Sequence, residues 1–279
     1  GIHIGKMPIM LNSAICVLQQ YKHISTNVSG ECSMDPGGYF IINGSEKTCL
    51  GQERAAENLV QCFNISKNNS KWHWLAEIKS VPDFKCISPK QISLYIASKN
   101  NGFGNGIYLQ IPRIKAPIPL FIIYRALGIV SDKEICSKIV LDTNSKSDNV
   151  KTIMHALRGS IVDAQGHLTQ EECMTFITSN AMYTPLNMDK ETGIRKKLEF
   201  TQNVLSDDLF PHCRTKEQKI YFLGYMTNRL LSCSFGWVKQ DDRDSYMNKR
   251  IDLTGTLLNN LFRNYFNKLV KDTSKQIVR

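Results

Sequence analysis

Toward the end of the chain, apolar residues recur at three- and four-residue steps. Leu253, Leu257, Leu258, Leu261, Phe262, Tyr265, Phe266, Leu269 and Val270 form one broad stripe, the spacing of an amphipathic helix. Arg263, Lys268, Lys271 and Lys275 fall off the stripe, and Lys275–Arg279 reads as an element cut part-way. A second helix is predicted over Lys216–Cys233, with Ile220, Leu223, Met226, Leu230 and Leu231 on its apolar side. Between these helices lies Asp241–Arg250, DDRDSYMNKR, with three acids and three bases. Charge of both signs at that density is too costly to bury unpaired. Framed by the core helices Tyr221–Leu231 and Leu253–Val270, the stretch is either a solvated loop or a positioned surface that meets phosphates and bases.

Upstream the period changes. Ile2–Cys16 reads as extended chain entering a short helix, with Ile9, Leu11, Ile15 and Leu18 as core candidates. Asp35-Pro36-Gly37-Gly38 is turn chemistry. Tyr39–Ile42 is a strand, and Asn43-Gly44 predicts a type I′ hairpin. Leu50–Phe63 reads as a returning strand that passes through GQER into a helix over AAENLVQCF. Trp72–Ser80 and Lys90–Ala97 alternate apolar and polar, so both are strands. The glycines of Lys99–Gly106, KNNGFGNG, imitate a phosphate loop. A dinucleotide fingerprint needs a helix next, whereas Ile107–Ile111 is another strand, so a hairpin turn is the reading.

Pro112–Pro119 reads as a proline-punctuated linker. Leu120–Leu127 is a buried helix with Arg125 inside it and Gly128 as its stop. Further helices are predicted over Glu134–Leu141 behind Ser131-Asp132, over Asp148–Arg158, over Glu171–Thr178 capped by Thr169, and over Glu191–Val204. Arg195, Lys196 and Lys197 on the last of these read as a solvated basic face.

Totals narrow the function classes. The chain has 279 residues, 42 % of them hydrophobic and 22 % charged, a composition able to bury a core. A net charge of +10 suits a polyanionic partner. No apolar run reaches membrane-spanning length, and GIHIGKMPIM lacks the pattern of a signal peptide. With no initiator Met, the sequence reads as a piece of a longer chain. The nine cysteines include no CxxC pair, so they are expected to be reduced core residues rather than zinc ligands, in a reducing, intracellular setting. His212 and Cys213 are adjacent but have no nearby partners for a dyad or a metal site.

Three blocks, taken together, carry a resemblance. They are Gly5–Ser13 with Gly37–Arg54 (GGYFIINGSEKTCLGQER), Arg125–Asp132 (RALGIVSD), and Tyr221–Leu258 (YFLGYMTNRLL…DDRDSYMNKRIDLTGTLL). In this order and spacing the chain resembles the second-largest, beta-like subunit of multisubunit DNA-directed RNA polymerases, over its protrusion and lobe region. It departs from common cellular versions at Thr48–Gly51 and Ser245–Asn248. That divergence, with many Asn and Lys residues, looks like a large DNA virus of the African swine fever type. The resemblance implies an α+β fold: a lobe domain of mixed helices and antiparallel strands, residues 55–222, inserted into a discontinuous protrusion of residues 1–54 and 223–279. It implies one wall of the cleft that holds downstream and non-template DNA. The fragment would be part of a nucleotidyltransferase without catalysing alone, with no cofactor of its own. Mg2+ would sit on the largest subunit, and Zn2+ further along this one. Partners would be DNA, the largest and other polymerase subunits, and initiation factors, with no membrane. The setting would be host cytoplasm and virion for a virus of that type, or the nucleus for a cell.

The same resemblance assigns nucleic-acid contacts to Arg54, Asp244 and Lys249, beside Arg243 and Arg250. An arginine fork can face a base edge or a phosphate, and a neighbouring carboxylate orients it. Equally, Arg54 and Asp244 could form an internal ion pair. Lys249 stands where bacterial relatives carry Arg, which favours backbone holding over base selection. A docking scaffold without DNA contact is the alternative. A standalone hydrolase or transferase would need a convergent nucleophile and base, or a metal site, and the spacing supplies neither.

Overall fold

The computed structural model describes residues 1–21, 23–65, 70–83, 87–141, 147–184 and 189–278. Contacts divide the chain into two units, Gly1–Arg54 with Lys249–Arg279, and Ala55–Asn248. The first unit begins with two helical turns, α1 (Val17–Gln20) and α2 (Thr26–Ser29), followed by strands β1 (Phe40–Ile42), β2 (Ser45–Lys47) and β3 (Gln52–Ala55). The second carries β4 (Gln61–Asn64), β5 (Trp72–Ser80), β6 (Lys90–Asn100), β7 (Asn105–Gln110) and β8 (Ile118–Pro119). Its helices follow: α3 (Leu120–Ala126), α4 (Asp132–Val140), α5 (Asp148–Asp163), α6 (Gln170–Ser179), α7 (Lys190–Asn203) and α8 (Lys216–Ser234). A π turn at Val204–Asp208 continues α7, and a 3-10 turn covers Tyr246–Asn248. The first unit resumes with β9 (Lys249–Asp252) and α9 (Thr254–Val278). The fold class is α+β, as the resemblance implied.

In the first unit the hairpin forms as its turn chemistry dictates. Asn43 (φ 52°) and Gly44 (φ 76°) are both left-handed, and β1 pairs antiparallel with β2. Asp35 holds the preceding turn, accepting from Gly37 N at 2.9 Å and from the Tyr39 hydroxyl at 2.5 Å. Of the core candidates here, Ile9 and Ile15 are exposed, Ile15 at 68 %, and Leu11 and Leu18 are half-buried; the buried side chains of this stretch are Cys16 and Phe40. The first ten residues form no regular element that could cover those side chains. The α9 stripe is real as a helix face, but Leu261, Phe262, Tyr265, Phe266, Leu269 and Val270 on it are all exposed. It is therefore not a core helix in this chain.

In the second unit β4 to β8 make one antiparallel sheet in sequence order. Ala76, Ile78, Ile92, Leu94, Ile96, Ile107 and Leu109 alternate onto one face and are buried. Helices α3, α5 and α8 pack against the sheet. Residues 223–248, assigned to the protrusion from the resemblance, lie in this unit. The reason is continuity: α8 is one unbroken helix whose Leu223, Met226, Leu230 and Leu231 are buried, and it packs on α4 and on β4–β6. Residues 61–63, expected in the helix over AAENLVQCF, lie in strand β4, because Gln61–Asn64 pair with Glu77–Trp74. Asn58 (φ 56°) turns the chain into that pairing, exchanging two 2.8 Å bonds with the Val81 backbone. Pro112–Pro119 is no linker: Ile114 and Ile118 are buried, and Ile118–Pro119 is the fifth strand. Thr169 and Thr215 head α6 and α8 with complete capping boxes.

Three close approaches fix how helices meet. Arg125 on α3, only 1 % exposed, donates to the Ala164 carbonyl at 2.8 Å, to the His167 carbonyl at 2.5 Å and to Asp132 Oδ1 at 2.7 Å. Gly224 on α8 lies against α4, where an added Cβ would stand 2.3 Å from the Lys138 carbonyl oxygen. Gly159 on α5 meets the β6–β7 turn, where a Cβ would stand 2.7 Å from the Gly104 carbonyl carbon.

Nearby, the Tyr108 hydroxyl donates to Asp163 Oδ2 at 2.7 Å. Burial, and then that carboxylate, push the Tyr108 phenol up from 10.0 to about 12. A raised folded-state pKa means that the folded chain holds the proton more tightly between those values, so stability is present below pH 10.0 and is lost as pH rises through about 12. Tyr108→Phe is expected to flatten that alkaline loss in urea melts taken across the window. An unchanged slope would show that Tyr108 does not carry it.

Candidate nucleic-acid interface

The five residues assigned to nucleic acid fall into two local arrangements, one in each unit. In the first, β3 and β9 pair as a two-stranded ribbon. Arg54 Nε donates to Asp252 Oδ1 at 2.8 Å, and Lys249 Nζ donates to Glu53 Oε1. These are cross-strand ion pairs of modest worth, on the order of 0.2–1 kcal/mol each. They hold both cations to the ribbon. Arg250 is exposed, and its guanidinium donates to the Lys249 carbonyl at 2.7 Å. Arg54 was read with Asp244 as its possible partner; within its own unit it has Asp252.

The second arrangement is the start of the charged decapeptide. Asp241 is its anchor. Its carboxylate takes both bonds from one Arg229 nitrogen at 2.9 and 3.1 Å and accepts from Cys62 N at 2.8 Å, while Asp241 N donates to the Cys62 carbonyl at 3.0 Å. Arg243 lies over the Phe63 ring, 4.1 Å from its centroid, and donates to Glu77 Oε1 at 3.0 Å. Asp242 Oδ1 accepts from Asp244 N at 2.9 Å, and Asn248 Nδ2 closes the loop onto the Asp242 carbonyl at 2.8 Å. The loop is thus pinned at Asp241, Arg243 and Asn248, and it presents Asp244, Tyr246 and Met247 outward. Arg229 and Glu77 were not singled out from the sequence. Arg229 sits one helical turn past Tyr225, and only the fold brings it to Asp241. The sole local hint of β9 was the alternation Arg250-Ile251-Asp252-Leu253.

His212 Nδ1 and Ser80 Oγ lie 2.6 Å apart, but Ser80 is fully buried and burial lowers the His212 pKa, so the pair is internal packing rather than a reactive dyad. The eight described cysteines are free thiols, with Cys32 exposed, and Cys86 lies outside the described residues. Among the described residues no three His, Cys, Asp or Glu side chains gather as metal ligands, and no helix is long and apolar enough to cross a membrane.

Residues 56–252 match the family model described as RNA polymerase Rpb2, domain 2. The chain belongs to the RNA polymerase Rpb2 family. It is 35 % identical to DNA-directed RNA polymerase II subunit RPB2 of Encephalitozoon cuniculi, over 99 % of this chain and 23 % of that protein. It is 38 % identical to the subunit of the same name from Eremothecium gossypii, over 97 % of this chain and 22 % of that protein. With DNA-directed RNA polymerase subunit Rpo2 of Saccharolobus solfataricus it shares 30 % identity, over 99 % and 23 %. The chain therefore spans about a quarter of the length of these Rpb2-family relatives. The Rpb2 domain 2 match covers both β9 and the pinned decapeptide.

Proposed function

We propose that this chain is the protrusion and lobe part of the second-largest subunit of a DNA-directed RNA polymerase, and that it forms one wall of the DNA cleft. The observation that carries the reading is the family match across residues 56–252, which ends on the ribbon strand bearing Lys249 and Arg250. In this reading the piece holds downstream duplex and non-template strand and performs no chemistry itself. Its partners are DNA, the largest subunit, other polymerase subunits and initiation factors. Mg2+ belongs to the largest subunit and Zn2+ to a later part of this one. The setting is reducing: the nucleus for a cellular source, host cytoplasm and virion for a viral one. Cellular relatives favour the first, and the Asn- and Lys-rich divergence favours the second.

Contact with phosphates draws on the exposed Arg250 and on Arg54, Lys249 and Arg243, whose side chains also meet Asp252, Glu53 and Glu77. Binding of duplex by the 279-residue chain is expected at about 50 mM salt and to fall steeply toward about 200 mM. Arg250→Ala should weaken it on every sequence alike and lower the salt slope by about 1. Arg243→Ala should lower it by less. A chain that binds duplex no better than a neutral protein at low salt overturns the DNA-contact reading. The exposed apolar face of α9 favours a second reading, a scaffold on which other polymerase parts dock.

A further inference from the structure

The sheet of the second unit has one face under helices, and the other carries a row of three aromatic side chains and one leucine in register. Phe63, Leu75, Tyr95 and Tyr108 stand opposite one another across β4, β5, β6 and β7. None of the four belongs to the fully buried core. Trp72 joins them through an irregularity in β5. It pairs with Ala97 while Trp74 pairs with Ile96, so His73 is an extra residue in the strand. Without that bulge, Trp72 and Trp74 would share a face by the two-residue period. With it, Trp74 packs on the core and Trp72 turns to the opposite side, the kind of re-aiming that bulges perform.

The result is a fixed aromatic corner. The Trp72 ring stacks on Tyr95 with centroids 5.0 Å apart and is tilted against Tyr108 at 5.3 Å. Its orientation is over-determined. Trp72 N donates to Ser70 Oγ at 3.2 Å, and Ser98 ties to the Lys71 and Ser70 carbonyls at 3.0 and 2.9 Å. Tyr108 is locked by its bond to Asp163, whose other oxygen accepts from Asn101 at 2.8 Å. Beside this corner opens a cleft of about 1160 Å³. Lys71 and Lys99 stand on its wall, and its described lining holds no carboxylate. The Lys71 ammonium lies 5.0 Å from the Trp72 centroid, a cation–π contact.

We propose that this cleft takes an unpaired nucleotide from a single nucleic-acid strand, its base against Trp72 and Tyr108 and its phosphates drawn by Lys71 and Lys99. Every base has a flat face to stack, and a basic wall tracks the backbone, so the site is tolerant of sequence. The arriving base displaces the Lys71 ammonium from the indole, and the ammonium pairs with a phosphate instead. A proline-rich peptide would also suit an aromatic groove, but it offers the two lysines nothing to pair with. The site is independent of the Arg250 ribbon, which meets duplex phosphate without needing an unstacked base.

The test compares a labelled oligothymidylate of about a dozen nucleotides with a duplex of equal length, on the 279-residue chain at about 50 mM salt. Trp72→Leu should weaken the single strand at least about fivefold and leave the duplex unchanged. Lys71→Gln with Lys99→Gln should lower the single-strand salt slope by about 1.4. Independently of any variant, an iodouracil-substituted strand irradiated with the parent chain should crosslink to Trp72 or Tyr108. Equal affinity in the Trp72 variant, equal loss for duplex and single strand, or crosslinks placed elsewhere would each overturn the site. The Arg250→Ala effect on duplex is read separately, so either site can fail without the other.

Discussion

Replacing Arg125 by methionine is expected to cost the second unit about 3–5 kcal/mol, the range for removing one partner of a buried pair. Methionine fills similar volume, so the loss is not a cavity effect. It comes from groups left behind. The Ala164 and His167 carbonyls lose the guanidinium that satisfies them, and a stranded buried acceptor costs about 1–3 kcal/mol. Asp132 is partly exposed and recovers by hydration, so it contributes least. The guanidinium also joins three pieces of chain: α3, the first turn of α4, and the 164–167 turn between α5 and α6. Arg125→Lys should recover less than half of the loss, because one ammonium cannot span the three acceptors in their present places. Urea unfolding of the second unit reads both variants. A loss under about 1 kcal/mol for Arg125→Met would show that water replaces the guanidinium, and the hub would then be decorative.

Gly224→Ala should also destabilise, by about 2 kcal/mol, against its intrinsic tendency. In an open helix, alanine gains about 1 kcal/mol over glycine. Here the new methyl would lie 2.3 Å from the Lys138 carbonyl oxygen and 3.0 Å from its carbon. That neighbour is the backbone of α4, not the end of a flexible side chain. Relief requires α8 and α4 to separate. Separation would strain the Asn228 bond to the Ile139 carbonyl, now 3.0 Å, and loosen packing around the buried Tyr124. Overpacking of a filled interface costs about 1–3 kcal/mol, more where backbone must move. Thermal melts decide the sign: a variant as stable as the parent, or more so, would mean that the two helices part cheaply.

How far the sequence could be read follows from where the information sits. The hairpin at Asn43-Gly44, the helix cap at Thr169 and the glycine stop at Gly128 (φ 90°) are local chemistry, and each is present. The strands β5 and β6 announced themselves by alternation, and β7 was read as the strand after the glycine-rich turn. Residues 61–64 did not, because a four-residue strand gains its identity from the partner it pairs with, here β5. The α9 stripe shows the opposite limit. Its period was legible, but period says only that a face is apolar, not what covers it. Among the interface residues, the charged decapeptide stood out by composition. Its wiring did not: Asp241 to Arg229, Arg243 to Glu77 and Arg54 to Asp252 join residues 12, 166 and 198 positions apart. The bulge that turns Trp72 was invisible for the same reason, since a bulge exists only relative to a neighbouring strand.

The contact of Gly159 with the β6–β7 turn bears on the history of the chain. Gly104 holds a backbone angle of +144°, which side chains rarely adopt, and Gly159 has that turn's carbonyl group where its own Cβ would go. Gly159 cannot gain a side chain while the Gly104 backbone stays put, whereas Gly104 is held to glycine by its own backbone angle, since a Cβ there would come no closer than 3.4 Å to Gly159. A side chain at Gly159 should therefore appear only in lineages where the β6–β7 turn has moved. Phe103 between Gly102 and Gly104 is 61 % exposed and has room to vary. A stretch that looks like loose glycine-rich filler thus presses on a helix more than fifty residues away and limits what that helix can carry there.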